Sequence, residues 1–200
     1  MGDLLTPPEL YYSAMITTLN HLTMTQLEAA VDRIRESPKD NGVVEMIVRR
    51  PQIDTREVVA EAHFDVKDGL IGDSWMYRGS SKTADGGPHP EMQVTIMNSR
   101  VVDLVAQAKE RWPLAGDQLY IEMDLSKENL PAGSRIAVGS AVLEVSPLPH
   151  TGCHKFVSRF GLEAMKFVNS EIGLQLCLRG INAKVIEGGT VKLGQTAKKI

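Results

Sequence analysis

A chain of 200 residues with 42% hydrophobic content carries enough apolar material for one ordinary globular core. Its formal charge of -3 and pI near 6.0 leave no basic footprint for a nucleic acid. Two cysteines do not make a disulfide framework and point to a reducing compartment, although Cys153 and Cys177 could still pair. The first positive charge is Arg33, so no basic leader is expected, and no apolar run approaches the ~20 residues of a membrane span. Met1-Gly2 with Thr6 matches a bare myristoylation pattern, short enough to arise by chance. The expectation is a cytoplasmic protein.

In chain order, residues 9–19 predict a short helix after Pro7-Pro8. A second helix is predicted from Thr25, where Thr25 and Glu28 have capping-box spacing and Leu27, Ala30, Val31 and Ile34 recur at helical intervals. Pro38 and Asp40-Asn41-Gly42 end it. Residues 1–42 thus read as a helical extension packed on a main unit spanning 43–200. Residues 43–48 predict a strand, whereas 56–64 mixes charged and apolar residues and reads ambiguously. Gly69-Leu70-Ile71-Gly72-Asp73 is a tight turn into Trp75, and Asp73 with Arg78 reads as a surface ion pair. The polar, Gly/Pro-rich run 78–90 predicts a long loop of the kind that often carries function.

Residues 92–97 predict a strand and Asn98 a helix cap, with Val101, Val102, Leu104, Val105 and Ala108 forming an apolar face. Strands follow at 118–123, 136–138 and 141–145, the last two as a hairpin around Gly139-Ser140. Residues 156–167 mix helical signals. Leu174 to Leu178 and Ala183 to Ile186 predict strands, and Gly188-Gly189 turns into another at 190–192. Short strands without regular helix alternation predict an α+β, predominantly β fold, a barrel or packed sheets rather than a doubly wound parallel sheet.

The chemistry concentrates at Pro149-His150-Thr151-Gly152-Cys153-His154-Lys155. A thiolate is the reactive form of cysteine and nearby cations favour it, so Cys153 beside His150, His154 and Lys155 suits sulfur or soft-metal chemistry. The competing reading is a packed, inert thiol. Phosphate-loop, dinucleotide, zinc-protease and hydrolase-elbow patterns are absent. His150, Cys153 and His154 sit too close along one turn to predict a converging metal site, and Lys155 reads as a solvated loop lysine rather than a Schiff base. Cys177, in an alternating apolar run, is expected to be packed.

Read together, several segments resemble the MOSC family, named for the C-terminal domain of molybdenum cofactor sulfurase. They are 69–73, Gly86-Gly87 with 93–97, 112–119, 133–139, 152–156 and 179–194, and they occur in family order across residues 43–197. The resemblance implies a MOSC-type β-barrel with peripheral helices. It further implies a molybdenum-cofactor (molybdopterin) protein in which Cys153 is the molybdenum ligand or a persulfide carrier. By position, His150, Thr151, Gly152, Arg179, Asn182, Asp117, Gln118 and Arg49 would line the cofactor cavity, with Arg179 and then Arg49 as the first choices for its phosphate. The arginine that precedes the cysteine in many relatives is missing here, and the family's Gly-Glu-Asn-Leu has become Gly116-Asp117-Gln118-Leu119.

Two functions follow from the resemblance. One is an oxidoreductase component that reduces N-hydroxylated small-molecule substrates, with electrons from a separate reductase. The other is a sulfur carrier without a cofactor of its own, loaded in trans by a pyridoxal-phosphate cysteine desulfurase. Neither calls for nucleic acid or membrane partners.

Overall fold

The computed structural model describes residues 20–80 and 83–200; the helix expected at 9–19 lies outside them. Helix α1 (Met24–Glu28) has its cap two residues before the expected one. Thr23, not Thr25, is the N-cap: its hydroxyl accepts from Gln26 N at 3.4 Å, while the Gln26 side chain takes the Thr23 N–H at 2.9 Å. The chain turns at Ala29-Ala30 and resumes as α2 (Val31–Arg35). Two short helices replace the single one predicted, yet both bury the expected residues, Leu27 and Ile34.

Strand β1 (Gly42–Arg49) runs the length of a barrel and pairs on one side with β6 (Leu119–Glu122) and on the other with β2 (Glu57–Val59) and β11 (Thr196–Lys199). The ambiguous stretch 56–64 is resolved as β2 and β3 (Glu61–Asp65). The ring continues from β6 through β5 (Val94–Asn98), β9 (Ile181–Glu187), β8 (Ala141–Pro149) and β7 (Arg135–Val138) to β11, which closes back on β1. It is a seven-stranded mixed barrel, with β5–β6 its parallel pair. A small sheet of β10 (Gly189–Lys192), β3 and β4 (Gly69–Leu70) packs outside it.

Alternation along the strands makes two cores. In β6, Leu119 and Ile121 face the barrel interior with Val44, Ile47 and Ile96, while Tyr120 points outward. A bulge between Val44 and Met46 resets the phase of β1, so that Ile47 returns to the interior and Met46 and Val48 join the outer core. That outer core is covered by α1, α3 (Ser99–Ala106), α4 (His154–Phe160) and α5 (Leu162–Asn169), which supply Leu27, Val102, Phe156, Phe160 and Phe167. Asn98 caps α3 as expected, accepting from Arg100 N at 2.8 Å.

The predicted strand at 174–178 is instead α6 (Glu171–Gln175) and a following turn. Ser170 caps the helix by accepting from Gly173 N at 3.1 Å, and the buried Gly173 packs against backbone carbonyls of α5. Leu174, Leu176 and Leu178 alternate along the sequence, but the cap sets a helical path and only Leu178 is fully buried. No described helix is long and apolar enough to cross a membrane.

Candidate functional site

The site forms around the return from a 3-10 helix (Lys109–Ala115) into β6. Gly116 takes φ +91, a conformation that favours glycine, and turns the chain inward. Four successive carbonyls on this return each accept from a different arginine. Arg56 Nε reaches Pro113 O at 3.2 Å, Arg159 Nη1 reaches Leu114 O at 2.7 Å, Arg179 Nη2 reaches Ala115 O at 2.8 Å and Arg50 Nη1 reaches Gly116 O at 2.8 Å. Tyr120, beneath the return, donates its hydroxyl to Trp112 O at 2.7 Å. Residues from the end of β1, the loop before β2, α4 and the segment before β9 are thus drawn to one short stretch of backbone, Arg50 being the residue just after β1.

The acids present do not balance these cations. Asp73 accepts from Arg50 Nε at 2.8 Å and Nη2 at 2.9 Å, with Arg78 Nη2 at 3.5 Å. Its side chain is fully buried, so Asp73 and Arg78 are not the surface pair expected. Asp117 holds Arg179 through Nη1 at 2.8 and 3.0 Å. Asp54 is shared between Lys155 at 3.3 Å and Arg159 at 3.0 Å. Among the described residues Arg56 has no carboxylate in hydrogen-bonding contact. Burial and the neighbouring guanidinium of Arg159 lower its pKa, and burial with Arg50 lowers that of Arg78 to about 10. Crowded cations of this kind favour an anion.

His150 ends the other side of this cluster. Its Nδ1 lies 3.5 Å from Asp117 Oδ1, without a hydrogen bond. Burial, reinforced by the Arg179 and Arg50 charges, holds His150 well below the usual imidazole range, so it is neutral near pH 7. Burial raises the Asp117 carboxyl and Arg179 pulls it back. The Arg179 guanidinium also lies over the Phe156 ring, 5.1 Å from its centroid.

Phe156 belongs to α4, and Cys153 is the residue that starts that helix; Phe156 N donates to Cys153 O at 2.9 Å. The Cys153 thiol is exposed, so it is not a packed core group. Cys177 is half-buried against the barrel core, and burial pushes its thiol up. The loop before Cys153 is clamped by Asn169, whose Oδ1 accepts from Gly152 N at 2.7 Å and whose Nδ2 donates to Gly152 O at 3.0 Å. Val168 and Met165 lie 3.0 and 3.2 Å from where a Cβ on Gly152 would stand, so glycine is the residue that fits there.

The fold brings His150, Asp117 and Arg179 together, and α4 ties Cys153 to them. Thr151 is exposed beside Cys153, whereas the Gly152 N–H is already committed to Asn169. Gln118 is fully buried and spends its amide inside the barrel, accepting from Thr95 N at 2.8 Å and donating to Gln93 O at 3.2 Å. Asn182 is fully buried as well; its Nδ2 donates to Leu148 O at 3.1 Å and its Oδ1 has no partner among the described residues. Arg49 turns away to Glu57 at 2.9 Å, and its neighbour Arg50 enters the site instead. Sequence reasoning missed Arg50, Arg56, Asp54 and Asn169. A signal for Arg50 existed: it directly follows a strand in which alternate residues face opposite sides.

No family model and no curated protein sequence matches the chain. Solved structures share its fold. YuaD from Bacillus subtilis superposes with a TM-score of 0.59 at 18% identity, over 78% of this chain and 94% of that one. YiiM from Escherichia coli gives 0.51 at 17% identity, over 79% and 69%. A further structure, described as a hypothetical protein, gives 0.54 at 16%, over 84% and 70%.

Proposed function

We propose that the chain is a MOSC-type protein that binds the molybdenum cofactor at the arginine-lined return and serves as the oxidoreductase component that reduces N-hydroxylated compounds. The observation that carries this reading is the convergence of four arginines on the carbonyls of residues 113–116, next to the helix that starts at an exposed thiol. The pterin cofactor is anionic at its phosphate, and Arg56 and Arg78 are the cations with the weakest carboxylate compensation. Cys153 would give the metal its protein thiolate, a soft donor for a soft metal. Among the described residues no three His, Cys, Asp or Glu side chains converge on a metal site. A metal here would therefore bring most of its ligands with it, as the pterin cofactor does. The partnerless Asn182 Oδ1 is a further polar atom that such a group could meet. When bound, the cofactor supplies the two-electron redox chemistry of molybdenum.

The chain's own residues hold and orient. Asn169 fixes the Gly152 backbone and with it the start of α4. Asp117 and Phe156 fix Arg179. Neutral His150 offers a site for a proton beside the Asp117 carboxylate. Electrons would come from a separate reductase.

The test is molybdenum content by elemental analysis of protein from cofactor-competent cells. The wild type is expected to retain molybdenum, Cys153→Ser to lose it, and the double variant Arg56→Ala/Arg78→Ala to retain much less. Metal-free wild-type protein from such cells would overturn the reading. The exposure of Cys153 also favours a second reading, a persulfide carrier loaded by a cysteine desulfurase, since a thiolate accessible to a partner suffices for exchange. That reading expects Cys153 to gain the mass of one sulfur atom after incubation with the desulfurase and cysteine, with no molybdenum bound.

A further inference from the structure

The pairing of β8 with β9 is interrupted between Val145 and Pro149. There β8 departs from its neighbour, and a cavity of about 420 Å³ opens between this segment, the start of β9 and the turn after α6. Its walls are mainly apolar, with Leu130, Val145, Leu148, Leu174 and Ile181 facing it. The wall at Leu148 is fixed from two sides, because Leu148 N donates to Ser146 Oγ at 3.1 Å and Leu148 O accepts from Asn182 Nδ2 at 3.1 Å. Two further residues give the cavity its chemistry. His150 lines it and also borders Asp117, so the cavity adjoins the arginine-lined site. Cys177, held at φ +49, lines it as well.

We propose that this cavity is a binding compartment for a small, uncharged, apolar molecule that carries one N–H or O–H donor, which His150 accepts. Apolar walls favour an apolar body and penalise a charged one, and the one charged residue of the lining, Lys127, is itself exposed to water, which screens its charge. The donor requirement comes from the imidazole. Asp117 Oδ1 stands 3.5 Å from Nδ1, and a carboxylate there favours the tautomer with its proton on Nδ1. Nε2 is then the acceptor of the ring, and a ligand that reaches it from the cavity must bring a donor. On the function proposed above, the occupant is the organic body of the N-hydroxylated substrate, and that assignment rests on that reading; the binding itself does not.

The test uses the full chain without cofactor, with indole as the probe and indene as the isostere that lacks the N–H. Alkylation of Cys177 and of Cys153 by iodoacetamide is followed separately by peptide mass spectrometry. Indole at about ten times its dissociation constant is expected to slow Cys177 alkylation about tenfold, because only unoccupied protein reacts. Cys153 should react at its unliganded rate. Indole should bind about fivefold tighter than indene, the worth of one neutral hydrogen bond, and His150→Phe should erase that difference. Ala132→Trp places a large side chain at the exposed rim, where folding is not at stake, and should abolish protection. The proposal is overturned if indole fails to protect Cys177, protects Cys153 equally, binds no better than indene, or still protects the Ala132→Trp variant. A failure of the cofactor reading shows separately, as missing molybdenum in protein whose Cys177 indole still protects.

Discussion

Removing the Asp117 carboxylate tests whether the site is built around a buried ion pair. In Asp117→Ala, Arg179 loses hydrogen bonds of 2.8 and 3.0 Å and keeps the one to Ala115 O and its place over Phe156. Its side chain is 7% exposed and that of Asp117 is 0%, so water can replace little of the loss. Breaking such a pair from one side costs about 3–5 kcal/mol, since a buried charge is left uncompensated. The contacts that Arg179 keeps place the cost near the lower end, about 3 kcal/mol. For a chain of this size that lowers the melting temperature by roughly 6–12 °C. Asp117→Asn retains one acceptor oxygen and should lose about half as much. The double variant Asp117→Leu/Arg179→Met removes both charges and should recover most of the stability, because the pair's desolvation cost disappears with it. Urea unfolding of the four proteins gives the comparison. A cost below about 1 kcal/mol for Asp117→Ala, or a double variant no more stable than the single, would refute a charge that depends on its partner.

Other outcomes follow from the same geometry. Because His150 has its folded pKa depressed by burial, the unfolded chain binds its proton first as pH falls below the ordinary value near 6.5. Stability is therefore fully present above that value and is lost between it and the lower folded pKa, and urea midpoints from pH 7 to 5 should fall less steeply in His150→Phe. Iodoacetamide near neutral pH should label exposed Cys153 well before Cys177, whose thiol burial pushes up; the reverse order by mass spectrometry would contradict the exposure of Cys153. Pyrophosphate should raise the melting temperature of the wild type, and Arg56→Ala/Arg78→Ala should abolish the shift, as expected if the surplus cations bind an anion. Gly180→Ala should destabilise by about 3 kcal/mol or more in a thermal melt, because φ is +104 and its Cβ would collide with the Ile96 carbonyl.

Much of the frame was legible along the chain. The hairpin of β7 and β8 announced itself through Gly139-Ser140 between alternating apolar runs, and Asn98 marked the start of α3. Local signals of this kind depend on a few neighbouring residues, so they survive without tertiary information. Where they conflicted, the outcome turned on packing. Leu174, Leu176 and Leu178 satisfy a strand's alternation, but Ser170 caps a helix there and Gly173 admits it against the carbonyls of α5. Thr23 and Thr25 both offer a cap, and the burial of Leu27 against the helices is compatible with either.

The site divides in the same way. Composition and spacing singled out Cys153, and the resemblance of segments along residues 43–197 pointed to Asp117, His150 and Arg179. Those residues lie at turns and strand ends whose local patterns are distinctive. Arg50 had only its place after a strand as a local signature, and Arg56 had none. Arg50 and Arg56 were not singled out because their partners, Asp73, Pro113 O and Gly116 O, lie 23, 57 and 66 positions away in the chain. Which of two adjacent arginines, Arg49 or Arg50, turns inward is decided by where β1 ends against Asp73. Sequence by itself determined the barrel class and the exposed candidate thiol's neighbourhood. Only the closed barrel decided which charges meet, because an ion pair is a matter of distance and burial, and both are set by strands far apart in the chain.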